Sequence, residues 1–234
     1  MDGISIVVPV YNEEESLYCF LSELYRYCQN LPMNWEVIVV NDGSTDNTAE
    51  VLRENNWVKV ITHHIRKGYG SAIKDGIRVA QFEYVCFMDG DSAHSPYLIS
   101  KGLAAINSLD LIIGIRDEKG KDFPLSQKLA RYLISKILTL TFRKKVKDIN
   151  SGFRIVKRKK ILRYLKILPD GFSFSASLTL LALLENLKFG YFPIEINKRK
   201  GRSKLKNTTY VFQFLTCLYL TQFRWLKEKI SSLE

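Results

Sequence analysis

Cysteine is scarce and poorly placed for its special chemistries. The 4 cysteines, Cys19, Cys28, Cys86 and Cys217, form no CxxC pair and no spacing suited to zinc or a disulfide framework, so they read as small buried hydrophobes of a reducing cytosol. Long apolar runs are missing as well. The uncharged stretch 208–222 is shorter than the roughly 20 apolar residues that cross a bilayer, and reads as an interfacial or packed helix. Met1 leads straight into a strand pattern without a basic stretch and a small-residue cleavage site, so no secretory leader is expected. Repeats and low-complexity linkers are absent, and 234 residues with 46% hydrophobic content suffice for one well-packed domain.

Acidic residues are what the second half lacks. Residues 1–120 hold 10 Lys and Arg against 17 Asp and Glu, a balance of −7, whereas residues 121–234 hold 25 against 7, a balance of +18. Such a basic half must face an anion or suffer self-repulsion, and nucleic acid, anionic lipid and a phosphorylated substrate are the three candidates. The runs 143–147 and 157–160 invite the first, but carboxylates at the strand ends of the first half would repel a phosphate backbone; no nucleic-acid partner is expected.

Short β-branched runs at 4–8, 36–40, 58–62 and 84–88 alternate with helical stretches at 13–28, 45–54 and 70–80, the second capped by Ser44 or Thr45. This alternation predicts an α/β fold, a mostly parallel sheet flanked by helices. A strand at 111–115, a basic amphipathic helix at 125–142, a turn at 148–152, a helix at 173–186, a strand at 190–196 and a C-terminal helical segment at 208–230 follow. In open sheets of this kind ligands lie beyond the carboxyl ends of the strands. There the chain places Pro9-Val10-Tyr11-Asn12-Glu13, then Asn41-Asp42-Gly43-Ser44-Thr45-Asp46, then Asp89-Gly90-Asp91.

Asp89 and Asp91 can offer hard oxygen to Mg2+ or Mn2+, leaving coordination positions for water and diphosphate. The same triplet also occurs as a plain solvated turn, and its place after an apolar strand favours the metal reading. Asp42 is suited to accept a nucleobase N–H and Tyr11 to stack on or border the ring, although the same residues would form a turn with a helix cap. Arg66-Lys67-Gly68-Tyr69-Gly70 has the look of a phosphate-approach loop.

The motifs Val8-Pro9-Val10-Tyr11-Asn12-Glu13-Glu14, Val39-Val40-Asn41-Asp42-Gly43-Ser44-Thr45-Asp46 and Met88-Asp89-Gly90-Asp91, with His94 and Pro96 following, resemble family 2 glycosyltransferases of the GT-A fold. Asp148-Ile149-Asn150-Ser151-Gly152-Phe153-Arg154, Gly171-Phe172-Ser173-Phe174, Pro193-Ile194 and Gly201-Arg202-Ser203-Lys204 are similar to the dolichyl-phosphate and polyprenyl-phosphate mannosyltransferase or glucosyltransferase branch. The resemblance implies a catalytic domain over residues 1–205 and an amphipathic, interfacial segment over 206–234. By position it implies that Pro9, Tyr11, Glu13, Val40, Asp42 and Gly90 hold the nucleotide and that Asp89 and Asp91 hold the metal. Arg116 would lie near the donor and acceptor phosphates. Lys128, Arg131, Ser151 and Arg154 would meet the lipid phosphate, and Lys198 and Lys204 the diphosphate.

The implied reaction is an inverting, metal-dependent transfer of a hexose from a nucleotide-diphosphate sugar, GDP-mannose ahead of UDP-glucose, to a lipid-linked acceptor, polyprenyl or dolichyl phosphate first. Transfer to a sugar hydroxyl of a glycan or glycolipid is the alternative; it needs a carboxylate base, and Asp148 or Asp170 could serve. A non-catalytic nucleotide-sugar binder is more distant. Three positions depart from the branch: Ala93 stands where glutamine is usual, Lys198 where arginine is usual, and Ser177 where an acid is expected. The expected location is cytoplasmic, peripheral on the membrane face, with Tyr219 and Trp225 at headgroup level.

Overall fold

A computed structural model, describing residues 2–106, 108–116, 125–195 and 210–231, gathers seven strands into one sheet among the described residues. The strands are β1 Ile4–Val10, β2 Trp35–Asn41, β3 Lys59–Thr62, β4 Tyr84–Phe87, β5 Leu111–Arg116, β6 Arg154–Lys157 and β7 Phe189–Ile194. Their spatial order is β3-β2-β1-β4-β6-β5-β7, and β6 alone runs antiparallel to its neighbours. The helices are α1 Glu14–Cys28, α2 Thr48–Glu54, α3 Tyr69–Val79, α4 Leu98–Ile106, α5 Leu125–Phe142, α6 Arg158–Leu162, α7 Phe174–Leu184 and α8 Tyr210–Ser231.

Both faces of the sheet are covered, which is why its central strands read as unbroken apolar runs. Along β1, Ile4, Ile6, Val8 and Val10 pack with Leu17, Phe20, Leu21 and Leu24 of α1, whereas Val7 faces the opposite core with Ala72, Ile73 and Ile77 of α3. Each of those α1 side chains contributes roughly 1.5–3 kcal/mol by leaving water. Helix α7 is buried from Phe174 to Leu183, with Ser175, Ser177 and Thr179 among its buried residues, and Phe174, Leu178, Leu181 and Ala182 join the second core.

Two local expectations are corrected. Helix α2 starts at Thr48, not at 45, because Asp46 Oδ1 accepts from Thr48 N at 3.0 Å and Oδ2 from Glu14 N at 3.2 Å, which fixes 45–47 as a turn. Trp225 turns inward: its Nε1 donates to Glu185 Oε1 at 2.5 Å, and Thr221 of the same helix donates to Ser177 Oγ at 2.9 Å. Ser177, the position that lacks the expected acid, thus fastens α8 to α7. Tyr219, Phe223, Leu226 and Ile230 form the stripe of α8 that remains exposed.

Candidate functional site

The chain order of the strands defines where a ligand crevice must open. From β1 the sheet grows through β2 and β3 on one side, then returns to place β4 on the other, so connections leave β1 and β4 in opposite directions. The crevice at such a switch point lies beyond the carboxyl ends of those two strands. Tyr11, Asn12 and Glu13 follow β1, and Asp89, Gly90 and Asp91 follow β4, so the two motifs meet there.

The turns after β1 and β2 are stitched together. Asn12 N donates to Ser44 Oγ at 3.0 Å, Thr45 N to Asn12 Oδ1 at 2.8 Å, and Glu13 N to Thr48 Oγ1 at 2.9 Å. Asp46 closes the seam. Burial pushes its carboxyl up, but the Thr48 hydroxyl and the backbone N–H groups of Thr48 and Glu14 outweigh that and hold it below its usual value. Glu13 also accepts from Ser16 Oγ at 3.1 Å, and Ser16 Oγ reaches Gly90 O at 3.4 Å, which ties the β1 turn to the carboxylate pair. Val40 lies with its side chain in the core against α3, so it shapes the crevice only as strand backbone. Pro9 is the half-buried residue two before Tyr11.

Asp42 is 4% exposed and already well partnered. Its Oδ1 accepts from Lys67 N and its Oδ2 from Gly68 N, each at 2.8 Å, and His63 Nδ1 lies 2.8 Å from Oδ1. These contacts use most of the four or so acceptor sites of a carboxylate. The glycine-containing loop therefore aims its N–H groups at Asp42, where the sequence suggested a phosphate. Gly68 adopts φ +107, a backbone region that side chains resist, and this bend presents both N–H groups to one carboxylate. His63 Nε2 in turn faces Asp75 Oδ2 at 2.9 Å. Arg66 lies over the Tyr11 ring, its Cζ 4.0 Å from the centroid, and so covers one face of the residue expected to border the base. His63 was not picked out from the sequence, and Arg66, read there as part of a phosphate-approach loop, lies over Tyr11 instead.

Asp91 is 4% exposed and its Oδ1 accepts from Ala93 N at 3.0 Å. Asp89 is half-buried against Gly152, where an added Cβ would lie 3.0 Å from Oδ2 and 3.3 Å from Oδ1. A side chain at 152 would press on that carboxylate, which would have to give by a few tenths of an ångström. Gly90 packs on Val8 and Val10 and offers the crevice backbone alone.

The acceptor side differs from expectation. Arg116, at the end of β5, forks onto Asp148, with Nε 2.7 Å from Oδ2 and Nη2 2.5 Å from Oδ1, while its own N–H donates to Oδ2 at 3.2 Å. Arg154 is 0% exposed. Its Nε donates to Ser151 O at 2.9 Å, Nη2 to Ile149 O at 2.7 Å and Nη1 to Thr179 Oγ1 at 2.9 Å, so it braces the loop from inside, where the resemblance placed it against a lipid phosphate. Burial lowers its pKa to about 10. Ser151 is likewise 0% exposed, and its Oγ has no hydrogen-bond partner among the described residues. Lys128 and Arg131 fall in α5, but their side chains lie outside the described residues, as do Lys198 and Lys204 altogether.

The residues present fit a hard divalent cation. Two carboxylates one residue apart, Asp89 half-buried and Asp91 buried, offer it oxygen. The remaining positions of such an ion would thus fall to water and to a phosphate-bearing ligand.

An open sheet of this order, with a carboxylate pair after β4 and the Asp42 turn after β2, has the architecture of the GT-A class of glycosyltransferases. The chain belongs to glycosyl transferase family 2, which matches residues 5–165. It is 32% identical over 226 residues to a dolichol-phosphate mannosyltransferase of Pyrococcus furiosus, covering 92% of this chain and 62% of that protein. It is 30% identical over 239 residues to an undecaprenyl-phosphate 4-deoxy-4-formamido-L-arabinose transferase of Proteus mirabilis, covering 97% of this chain and 71% of the relative. The crystal structure of glucosyl-3-phosphoglycerate synthase from Mycobacterium tuberculosis, in complex with Mn2+, UDP and glucosyl-3-phosphoglycerate, superposes with a TM-score of 0.73 at 17% identity, over 94% of this chain and 80% of that one.

Proposed function

We propose that this chain moves a hexose from a nucleotide-diphosphate donor to a polyprenyl phosphate, inverting the anomeric carbon. The observation that carries the reading is the meeting of Tyr11, Asp42 and the Asp89/Asp91 pair at one switch-point crevice, with Arg116 at the end of β5. The two relatives are named for different sugars but both for a polyprenyl-type phosphate acceptor, so the acceptor class has the firmer support. Mannose is favoured over glucose on the strength of the pyrococcal relative.

Tyr11 and Asp42 border the nucleotide; Glu13, Pro9 and Gly90 shape its seat. Asp89 and Asp91 would hold Mg2+ or Mn2+, which when bound offsets the charge of the departing diphosphate. Arg116, held flat by Asp148, stands ready for phosphate oxygens, and the resemblance assigns Lys198 and Lys204 to the diphosphate and Lys128 and Arg131 to the lipid phosphate. A lipid phosphate is already ionised near neutral pH and attacks without a base. That suits the site, because both carboxylates available as bases are engaged: Asp148 with Arg116, and Asp170 with Lys74.

Membrane attachment belongs to the same reading. None of the described helices is long and apolar enough to cross a membrane. The exposed stripe of α8, with Arg224, Lys227 and Lys229 nearby, suits a peripheral seat on an anionic, cytoplasmic membrane face, and segment 206–234 is its attachment to the catalytic domain 1–205. The test is transfer of label from GDP-mannose or UDP-glucose, with Mn2+, into organic-extractable polyprenyl phosphate. Label appearing only on glycan hydroxyls would overturn the acceptor assignment.

A further inference from the structure

The run Lys157-Arg158-Lys159-Lys160 serves neither side of the crevice. Lys157 ends β6 and the other three open α6, and because β6 is antiparallel to β4, Lys157 pairs with Tyr84 at the start of that strand. The run therefore lies at the sheet edge opposite the Asp89/Asp91 pair, which follows the far end of β4. At about 3.3 Å per residue, β4 puts roughly 13 Å between the two edges. A ligand held here is separate from one in the crevice.

The four cations surround a cavity of about 360 Å³, walled also by Phe82 and Glu83. Backbone hydrogen bonds frame it: Arg158 N donates to Glu83 O at 2.8 Å, and Lys157 N to Asp110 O at 2.9 Å. Its charge is one-sided. Residues 157–166 hold 6 Lys and Arg and no Asp or Glu, and among the described residues the run makes a single ion pair, from Lys160 Nζ to Asp110 Oδ1 at 3.5 Å. Arg158 Nε is buried with no hydrogen-bond partner among the described residues. A merely solvated basic face keeps each N–H in water. Here the guanidinium has lost hydration at one N–H with no protein carboxylate beside it, which is unfavourable until an anion offsets the charge.

We propose that this cavity is a second ligand site, which takes a phosphate monoester, either a soluble phosphorylated small molecule or the headgroup of an anionic lipid. A monoester brings close to two negative charges and three acceptor oxygens at neutral pH. Arg158 meets these with a planar fork, and the lysines on either side with mobile point charges. The volume falls within the roughly 300–1,000 Å³ of small-ligand sites, so more than the phosphoryl group fits. Phe82 and the lysine stems can cover the organic part, and Glu83, the one carboxylate in the wall, suits a hydroxyl on it.

The site needs no metal, so the experiment is titration of the full chain with inorganic phosphate in EDTA, read by phosphorus NMR line width, for wild type, Arg158→Gln, Lys159→Gln and the crevice control Arg116→Gln. Urea midpoints and sedimentation on vesicles of phosphatidylcholine and phosphatidic acid accompany it. Arg158→Gln is expected to raise the phosphate Kd roughly tenfold and Lys159→Gln roughly threefold, with Arg116→Gln close to wild type. Lys159 is exposed, so its effect stands even where Arg158→Gln lowers the urea midpoint. Vesicle association that falls in the same variants identifies the headgroup as the source, and wild-type association beside weakened phosphate binding identifies a soluble monoester. Equal phosphate affinity in wild type and both variants, no saturable binding by the wild type, or a loss confined to Arg116→Gln overturns the site. A duplex DNA gel shift abolished in variants whose phosphate affinity is unchanged gives the run to nucleic acid instead.

Discussion

The two sides of the crevice proposed to take donor and acceptor are built on opposite plans. On the donor side, carboxylates stand at strand ends and are held by backbone N–H groups and hydroxyls: Asp42 by the 67–68 loop, Asp46 by Thr48 and Glu14, Asp91 by Ala93. On the acceptor side, the cations are tied to protein oxygens, Arg116 to Asp148 and Arg154 to two carbonyls and a hydroxyl. The difference teaches that net charge does not locate a phosphate site. A basic half can spend its arginines internally, as Arg154 does, while Arg116 at the end of β5 is the guanidinium proposed to meet substrate.

The comparison is tested hardest on the donor side. Asp91→Ala should lower turnover by roughly 100- to 1,000-fold with an unchanged circular dichroism spectrum; a normal rate would remove Asp91 from the chemistry. On the acceptor side, Arg154→Met strands Ser151 O and Ile149 O, and should cost about 2–4 kcal/mol of stability in urea denaturation. Unaltered stability with selective loss of acceptor use would instead return Arg154 to the phosphate. Arg116→Lys keeps the charge but loses the fork on Asp148, and kcat/KM for the lipid acceptor should drop roughly tenfold while stability changes little.

The smallest effect concerns the attachment of α8. Burial pushes the Glu185 carboxyl up, but hydrogen bonds from Trp225, Tyr164 and Lys229 outweigh it and hold the group below its ordinary 4.5. The folded state thus favours the ionised form, so its contribution is complete above pH 4.5 and lost as pH falls through the lowered folded value. Between neutral pH and pH about 3, the wild type should lose more stability than Glu185→Gln, which lacks that contribution throughout. Parallel losses in urea midpoint would show that Glu185 does not anchor α8.

The donor side was largely legible in the sequence because each cluster there directly follows an apolar strand run, and a parallel sheet brings successive strand ends to one edge. What stayed hidden depends on contacts distant in sequence. Strand β6 is four residues, Arg154-Ile155-Val156-Lys157, and pairs antiparallel between β4 and β5; its charged ends hide a strand whose central residues are fully buried. The resemblance set Arg154 against a lipid phosphate, and nothing local announces that the carbonyls of its own loop curl back to receive it. The inward turn of Trp225 was hidden for a similar reason, since its partner Glu185 lies on another helix.

The most direct test is the anomalous signal of Mn2+ in crystals grown with a nucleoside diphosphate. A peak at the Asp89 and Asp91 carboxylates, with the base beside Tyr11 and Asp42, is the predicted result. A bound nucleotide at that crevice with the manganese elsewhere, or with none bound, would contradict it.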